Sequence, residues 1–582
     1  MKKLLLPVLL ALATAAAPLA ARAQTTCPAT AANVVLVGTG SPAKTGFEIT
    51  QNTTWTRNNI YLLNSAVYVN SGVTLTIESG TIIKGDLANQ GALIIRQGGK
   101  LNAIGTATQP IVFTSNQPAG SRGPGDWGGV IICGKAPVNL PGNPTIEGGV
   151  IATFGGTDPL DNSGTLQYVR IEYAGIAFAL NNEINGLTLG GVGAGTTIDH
   201  IQVTASGDDS FEWFGGTVNA KYLIALAGTD DDFDTDNGFS GRVQYGLALR
   251  DPQRGDVATG GVSNGFESDN DATGTANTPQ TSAVFSNMTI LLPTTPAPAA
   301  PFTNSSAALI RRNSAESIFN TVFTGRTFGV DLNSNSANLT TANAASGALV
   351  LANNVLAGYG PLPSRAARAT SNSGATAGFS VNTFVGANND TTRTVAALGF
   401  NADNYSYNGA CSATNKSCAP NFGLPAASLL NTGAAFTNAK LTGAGNGGPN
   451  STFDVVTYRG AFGATNWATG WTNFNPQFTC YNVAGQTLAS REVANATLQA
   501  LTVSPNPTEG AATLGFDVKT ATTATVRVLD VMGREVAVVL TAGKLGAGPQ
   551  RLALPANLAP GVYMATVATP DAVQSVRFVV AQ

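Results

Sequence analysis

Histidine occurs once in 582 residues, at His200, and cysteine only five times. A lone histidine excludes an imidazole-rich metal centre. Five cysteines in so long a chain cannot supply a disulfide framework. Charged residues make up 11% of the chain, which excludes long amphipathic helices faced with Lys and Glu. The formal net charge of −3 offers no basic surface for nucleic acid. After the leader, no apolar run reaches the eighteen or so residues of a membrane-spanning helix. Glycine, by contrast, is abundant at 67 residues, together with Thr, Ala, Asn and Ser. That bias favours short β-strands joined by many turns.

Residues 1–23 read as a secretory signal peptide. Lys2 and Lys3 precede the apolar "LLLPVLLALATAAAPLA", and Ala21-Arg22-Ala23 places cleavage before Gln24. An exported chain meets oxidising surroundings, so Cys411 and Cys418 in the polar "CSATNKSC" are expected to pair locally. Cys133, in "GVIICG", reads as a small buried hydrophobe. Cys27 and Cys480 receive no assignment.

Between Ala66 and Asn116, short apolar or alternating runs are separated by Gly, Asn and Asp, too closely for helical crossovers. A second repeat follows. "LQYVRI" ends at Ile171, "IDHIQV" at Val203, "AKYLIA" at Ala225 and "VQYGLA" at Ala248. "FSNMTI" ends at Ile290, "IFNTVF" at Phe323 and "LANNVL" at Leu356. The third residues of these units are Tyr168, His200, Tyr222, Tyr245, Asn287, Asn320 and Asn353. One such unit cannot bury its own apolar face, whereas stacked units can. The expectation is an all-β fold: a right-handed parallel β-helix over residues 24–480, ending in an irregular cap region. A propeller would need a longer, more regular repeat. Trp467, Trp471 and Phe474, in "NWATGWTNFNP", are expected to cap the helix end. The Pro-rich stretch near Pro293–Pro301 reads as a loop excursion.

The segments "GVTLTIESGTIIKG", "GGKLNAIGTATQPIVFTS" and "GDWGGVIICGKAPVN" resemble the pectin-lyase-like β-helix families of secreted bacterial proteins. That resemblance implies a fold and no particular activity.

Residues 481–499 read as a polar linker, and residues 500–582 as a small antiparallel β-sandwich. The latter carries Pro505-Asn506-Pro507, Asp530 through Gly533 and Arg534, and "LAPGVYMATV" with Gly561 and Tyr563. In that order these marks resemble the type A sorting domain of the type IX secretion system of Bacteroidota. The resemblance implies the type IX machinery as a partner and a destination outside the cell or on its surface.

The stretch "TDDDFDTDNG" from Thr229 aligns with "GDDSFEWFGG" from Gly207 at an offset of 22, and "NGFESDND" from Asn264 gives a third version. Stacked coils would bring Asp208, Asp209 and Glu212 onto Asp230, Asp231, Asp232, Asp234 and Asp236, and then Glu267 and Asp269. Carboxylates about 4.8 Å apart repel by roughly 1 kcal/mol in water and roughly 3–4 kcal/mol at an effective dielectric near 20. Calcium is the expected counter-charge, since hard oxygen ligands suit it. Lys221, Arg242, Arg250 and Arg254 are the internal alternative, and retained protons a third. The spacing does not fit an EF-hand. A solvated acidic loop and a catalytic or sugar-binding site are the competing readings of the same residues.

A calcium-stabilised binding or surface-structural protein is therefore expected, with a calcium-dependent polysaccharide lyase or a glycoside hydrolase as the alternative. Extracellular polysaccharide is a possible ligand in either case. "GDDS" and "DTDNG" are similar to fragments of the polygalacturonase signature, but in the wrong order and without that family's other elements. His200 occupies a repeat position filled elsewhere by Tyr or Asn, so a structural role is expected. Trp213 and Phe214 are expected to pack between coils rather than to stack on sugar rings.

Overall fold

The computed structural model describes residues 27, 33–41, 46–179, 182–256, 262–293, 302, 304–334, 338–362, 365–368, 376–400, 420–486, 488, 498–519, 521–530, 535–569 and 573–581. The signal peptide, the Cys411–Cys418 pairing and most of the Pro-rich excursion lie outside the described residues. The chain divides into two compact units between Ser490 and Arg491.

The first unit is the expected β-helix. Its strands form two long parallel sheets, of 16 and 11 strands. The repeat falls in register as the sequence spacing requires: Ile171 pairs with Val203, Val203 with Ala225, Ala225 with Ala248 and Ala248 with Ile290. Ile290 continues to Phe323, and Phe323 to Leu356. The third residue of each unit is a corner. Tyr168, His200, Tyr222, Tyr245, Asn287, Asn320 and Asn353 all have φ between 51° and 65°. Pairing skips each of them, passing from Gln167↔Asp199 to Val169↔Ile201. The larger sheet thus turns at one residue per coil. Asn tolerates this left-handed conformation through its short polar side chain and His also favours it, whereas Tyr is strained there.

Inside the coils, Phe211, Phe233 and Phe266 stack on successive rungs with centroids 5.6 and 5.5 Å apart. Trp213 is fully buried and stacks on Phe239 at 5.3 Å. Phe214 points to the opposite side of its strand and packs on Phe154 at 6.1 Å. Cys133 is buried and unpaired.

The aromatic cap expected at the helix end is instead a strap on its flank. Residues 434–474 run along the corner residues. Asn287 Nδ2 donates to the Tyr458 carbonyl at 2.9 Å and Asn320 Nδ2 to that of Ala435 at 3.2 Å. Trp471 meets His200 edge-on at 5.5 Å and Trp467 meets Tyr222 at 5.3 Å. Phe474 packs on Phe422 at 5.5 Å. The late coils are covered instead by the helix Val381–Asn388, whose Val385 joins the coil core, and Trp467 and Trp471 cover the corner rings. The last leg of the strap runs back to early coils. Arg122 Nη1 donates to the Pro476 carbonyl at 2.6 Å, and Tyr481 donates its hydroxyl to the buried Glu172 at 2.8 Å. Cys480 is disulfide-bonded to Cys27. Tyr481 and Leu488 are buried on this unit, so the expected linker begins as packed chain.

The second unit is the expected antiparallel sandwich. One sheet holds Leu498–Ser504, Thr513–Val518 and Gly548–Ala553; the other holds Thr522–Asp530, Glu535–Leu545, Gly561–Ala568 and Val573–Val580. Leu514, Phe516, Val526, Val528, Ala565, Val567 and Phe578 form its core. Asn506, between Pro505 and Pro507, fastens the last strand. It accepts from Val579 N at 2.9 Å and donates to the Arg577 carbonyl at 3.2 Å. Tyr563 stacks on Phe578 at 5.7 Å, and Gly561 opens the strand that carries it. Asp530 ends its strand, while Gly533 and Arg534 lie outside the described residues.

Candidate metal centre

The smaller sheet carries the acids. Its strands alternate, so Phe211, Trp213 and Phe233 point inward and the intervening side chains outward. Glu212 therefore pairs with Asp234, and Asp234 with Glu267, on one outward line. The turns before these strands stack as well: Asp231 N donates to Asp209 Oδ1 at 2.7 Å, and Asn264 N to Asp231 Oδ1.

Three groups result, each with ligand oxygens within 4.8 Å of one another: Asp208, Asp209 and Asp230; Asp209, Glu212 and Asp234; Asp231, Asp234 and Glu267. Asp209 and Asp234 belong to two groups each, so the three are continuous. Asp234 Oδ1 is buried and has no hydrogen-bond partner.

Three of the expected ligands are placed otherwise. Asp232 is wholly buried between Arg250 at 2.8 Å and Arg326 at 2.9 Å. Asp269 accepts from Arg311 at 2.9 Å and Arg312 at 2.6 Å. Asp236 accepts from the Asn237 amide at 2.6 Å. Arg311 also pairs with Glu267. Of the cations expected to serve the acids, only Arg250 does so by a direct ion pair among the described residues. Lys221 pairs with Asp454 at 2.8 Å, and Arg242 donates to the Gly443 and Ser451 carbonyls of the strap. Arg254 lies in the turn after Asp251.

The acids without arginine partners are held far from their ordinary ionisation. Burial first, and neighbouring carboxylates second, push Asp208, Asp209, Glu212, Asp230 and Asp234 well above the usual carboxylate range. Asp231 is pushed up to about 7 by burial and by Asp230, against the pull of the Asn264 amide. Such a set binds either protons or a cation. An all-oxygen donor set of this density fits a hard divalent ion, and calcium in particular.

Sequence reasoning missed Arg311, Arg326, Glu147 and Glu316. Arg326 meets Asp232 across 94 residues and Glu147 reaches the acids from a loop, and neither separation leaves a periodic signal. His200 lies in a stack of corner rings, 4.3 Å from Tyr168 and 4.3 Å from Tyr222, with Asp199 on its Nδ1.

A family model described as pectate-lyase like beta helix domain matches residues 47–472. A second, described as secretion system C-terminal sorting domain, matches residues 502–581. No curated protein matches the chain.

Proposed function

Because the chain belongs to the pectate-lyase-like β-helix family and ends in a sorting domain that addresses it to the type IX secretion machinery and so out of the cell, we propose that its β-helix is a calcium-stabilised binding or surface-structural passenger. The observation that carries this reading is the continuous set of seven acids in three groups, most of them without a cation partner. Repulsion of this kind is offset when a divalent ion binds the folded coils, and binding to the native state alone raises stability by mass action.

Support for a non-catalytic role comes from the neighbouring groups. Arg250, Arg311, Arg312 and Arg326 are all engaged with carboxylates, and the only histidine is packed in the corner stack. A lyase would need a cation on the substrate carboxylate and a base free to take the adjacent proton. The lyase reading is favoured by one feature, the proximity of the acids to a half-buried outer face of the sheet.

Thermal melting of the full secreted chain with calcium and with chelator tests the metal. The expected outcome is a melting temperature that rises with calcium by several degrees and falls with chelator. Equal melting in both conditions rejects it. Incubation with pectin and alginate separates the two roles, since unsaturated, ultraviolet-absorbing ends would establish a lyase.

A further inference from the structure

Glu147 stands apart from the ladder in sequence but not in space. It sits in the excursion of residues 134–161, which leaves the smaller sheet after Val130–Cys133 and rejoins the coils at the strand Gly164–Glu172 of the larger sheet. Ile146, Val150, Ala152 and Phe154 of this excursion pack over Tyr68, Ile94, Ile131 and Phe214, the apolar part of the sheet's outer face. Backbone bonds hold the base of the excursion, where Gly155 N donates to Gly134 O at 3.0 Å and Ala136 N to Gly191 O at 2.8 Å, while its tip closes on itself: Thr145 bridges Thr153, Ile146 N donates to Ala152 O at 3.0 Å and Phe154 N to Pro144 O at 3.0 Å. Gly148, with φ of +75°, passes so close to Ile184 that a Cβ would lie 2.3 Å from its Cγ1. That close passage carries Glu147 to the first acids of the ladder.

Asn185 lies between the two. Its Nδ2 donates to Glu147 Oε1 at 2.8 Å and also to Glu212 Oε2. The two hydrogens of one amide nitrogen thus bridge two carboxylates. Asn185 is fully buried and its Oδ1 has no hydrogen-bond partner. A buried carbonyl oxygen left without a donor beside two acids is costly unless a cation or a carboxylic proton meets it.

We propose that Glu147 is a further cation ligand, supplied to the Asp209–Glu212–Asp234 group from outside the coil with the Asn185 carbonyl beside it, so that cation binding fastens the 134–161 excursion onto the sheet. The inference rests on the calcium reading above. A ligand on a loop and ligands on a rigid sheet, joined by one ion, make loop closure and ion binding a single equilibrium.

The test uses the full secreted chain, titrated with calcium and with terbium, whose luminescence is sensitised by aromatic residues. Glu147→Gln is expected to weaken cation binding about tenfold or more. Calcium should protect the excursion from limited proteolysis in the wild type and not in Glu147→Gln. Equal affinity in the two proteins overturns the assignment of Glu147 and leaves the ladder site standing. Weaker binding with unchanged proteolysis overturns the fastening. A wild type that binds neither ion overturns the calcium reading itself, and this inference with it. Melting of the ion-free variant at or above the wild-type temperature shows that lost affinity is not lost folding.

Discussion

Glu316 is fully buried and accepts from Thr235 Oγ1 at 2.8 Å. Burial holds its carboxyl up at about 8, from an ordinary 4.5. The native state therefore keeps a proton that the unfolded chain gives up above pH 4.5. Below that pH both states are protonated and Glu316 makes no difference. As pH rises towards 8 the unfolded state gains, and stability falls by about 1.4 kcal/mol for each unit of pKa difference. Glu316→Gln retains an acceptor for Thr235 and cannot ionise. It should match the wild type near pH 4.5 and exceed it by a few kcal/mol at pH 8, read from urea unfolding at both values. A variant whose pH dependence parallels the wild type would show that Glu316 is not the titrating group. Other acids nearby were legible in the sequence because an offset of 22 repeats Asp208, Asp209 and Glu212 as Asp230, Asp231 and Asp234. Their arginines were not. Arg311 and Arg326 reach the acids from later coils, and contact between coils depends on excursion lengths that no local pattern encodes.

At the scale of the strand, the repeat was visible and its meaning was not. Alternation showed that the third residue of each unit holds a fixed place; only the backbone shows that the place is a left-handed corner. Two demands meet there. The conformation suits Asn, as at Asn287, Asn320 and Asn353, and is open to His200, whereas Tyr168, Tyr222 and Tyr245 bear strain that ring stacking, in which His200 takes part, offsets. His200→Asn keeps a residue suited to the corner and loses one ring. His200→Val loses the ring and forces a β-branched side chain into positive φ. The valine variant is expected to be about 1–3 kcal/mol less stable than the asparagine variant, measured by denaturant unfolding. Equal losses would mean that the stack, rather than the corner, selects the residue at position 200.

For the β-helix unit as a whole, the strap decides how its flank is closed. It has almost no regular secondary structure, so neither periodicity nor propensity could announce it, and the spacing of its aromatics suggested an end cap. Its anchor is the Cys27–Cys480 disulfide, which closes a separation of 453 residues. In the chain-entropy view a loop of that length restricts the unfolded state by about 6 kcal/mol. The bond joins Cys27, which precedes the strand Val34–Val37, to Cys480 in the strap's last leg, so the constraint spans the described coils. Replacing both cysteines, as Cys27→Ser with Cys480→Ser, should therefore lower the unfolding midpoint. It should also free the strap before the coils melt. Trp467 and Trp471, which cover the corner rings, would become exposed first, giving a red-shifted fluorescence transition at lower denaturant than the loss of β-sheet circular dichroism. Limited proteolysis should then cut within residues 461–488 while the coils remain intact. Coincident transitions at an unchanged midpoint would mean that side-chain contacts alone hold the strap and that the disulfide adds nothing to the closed flank.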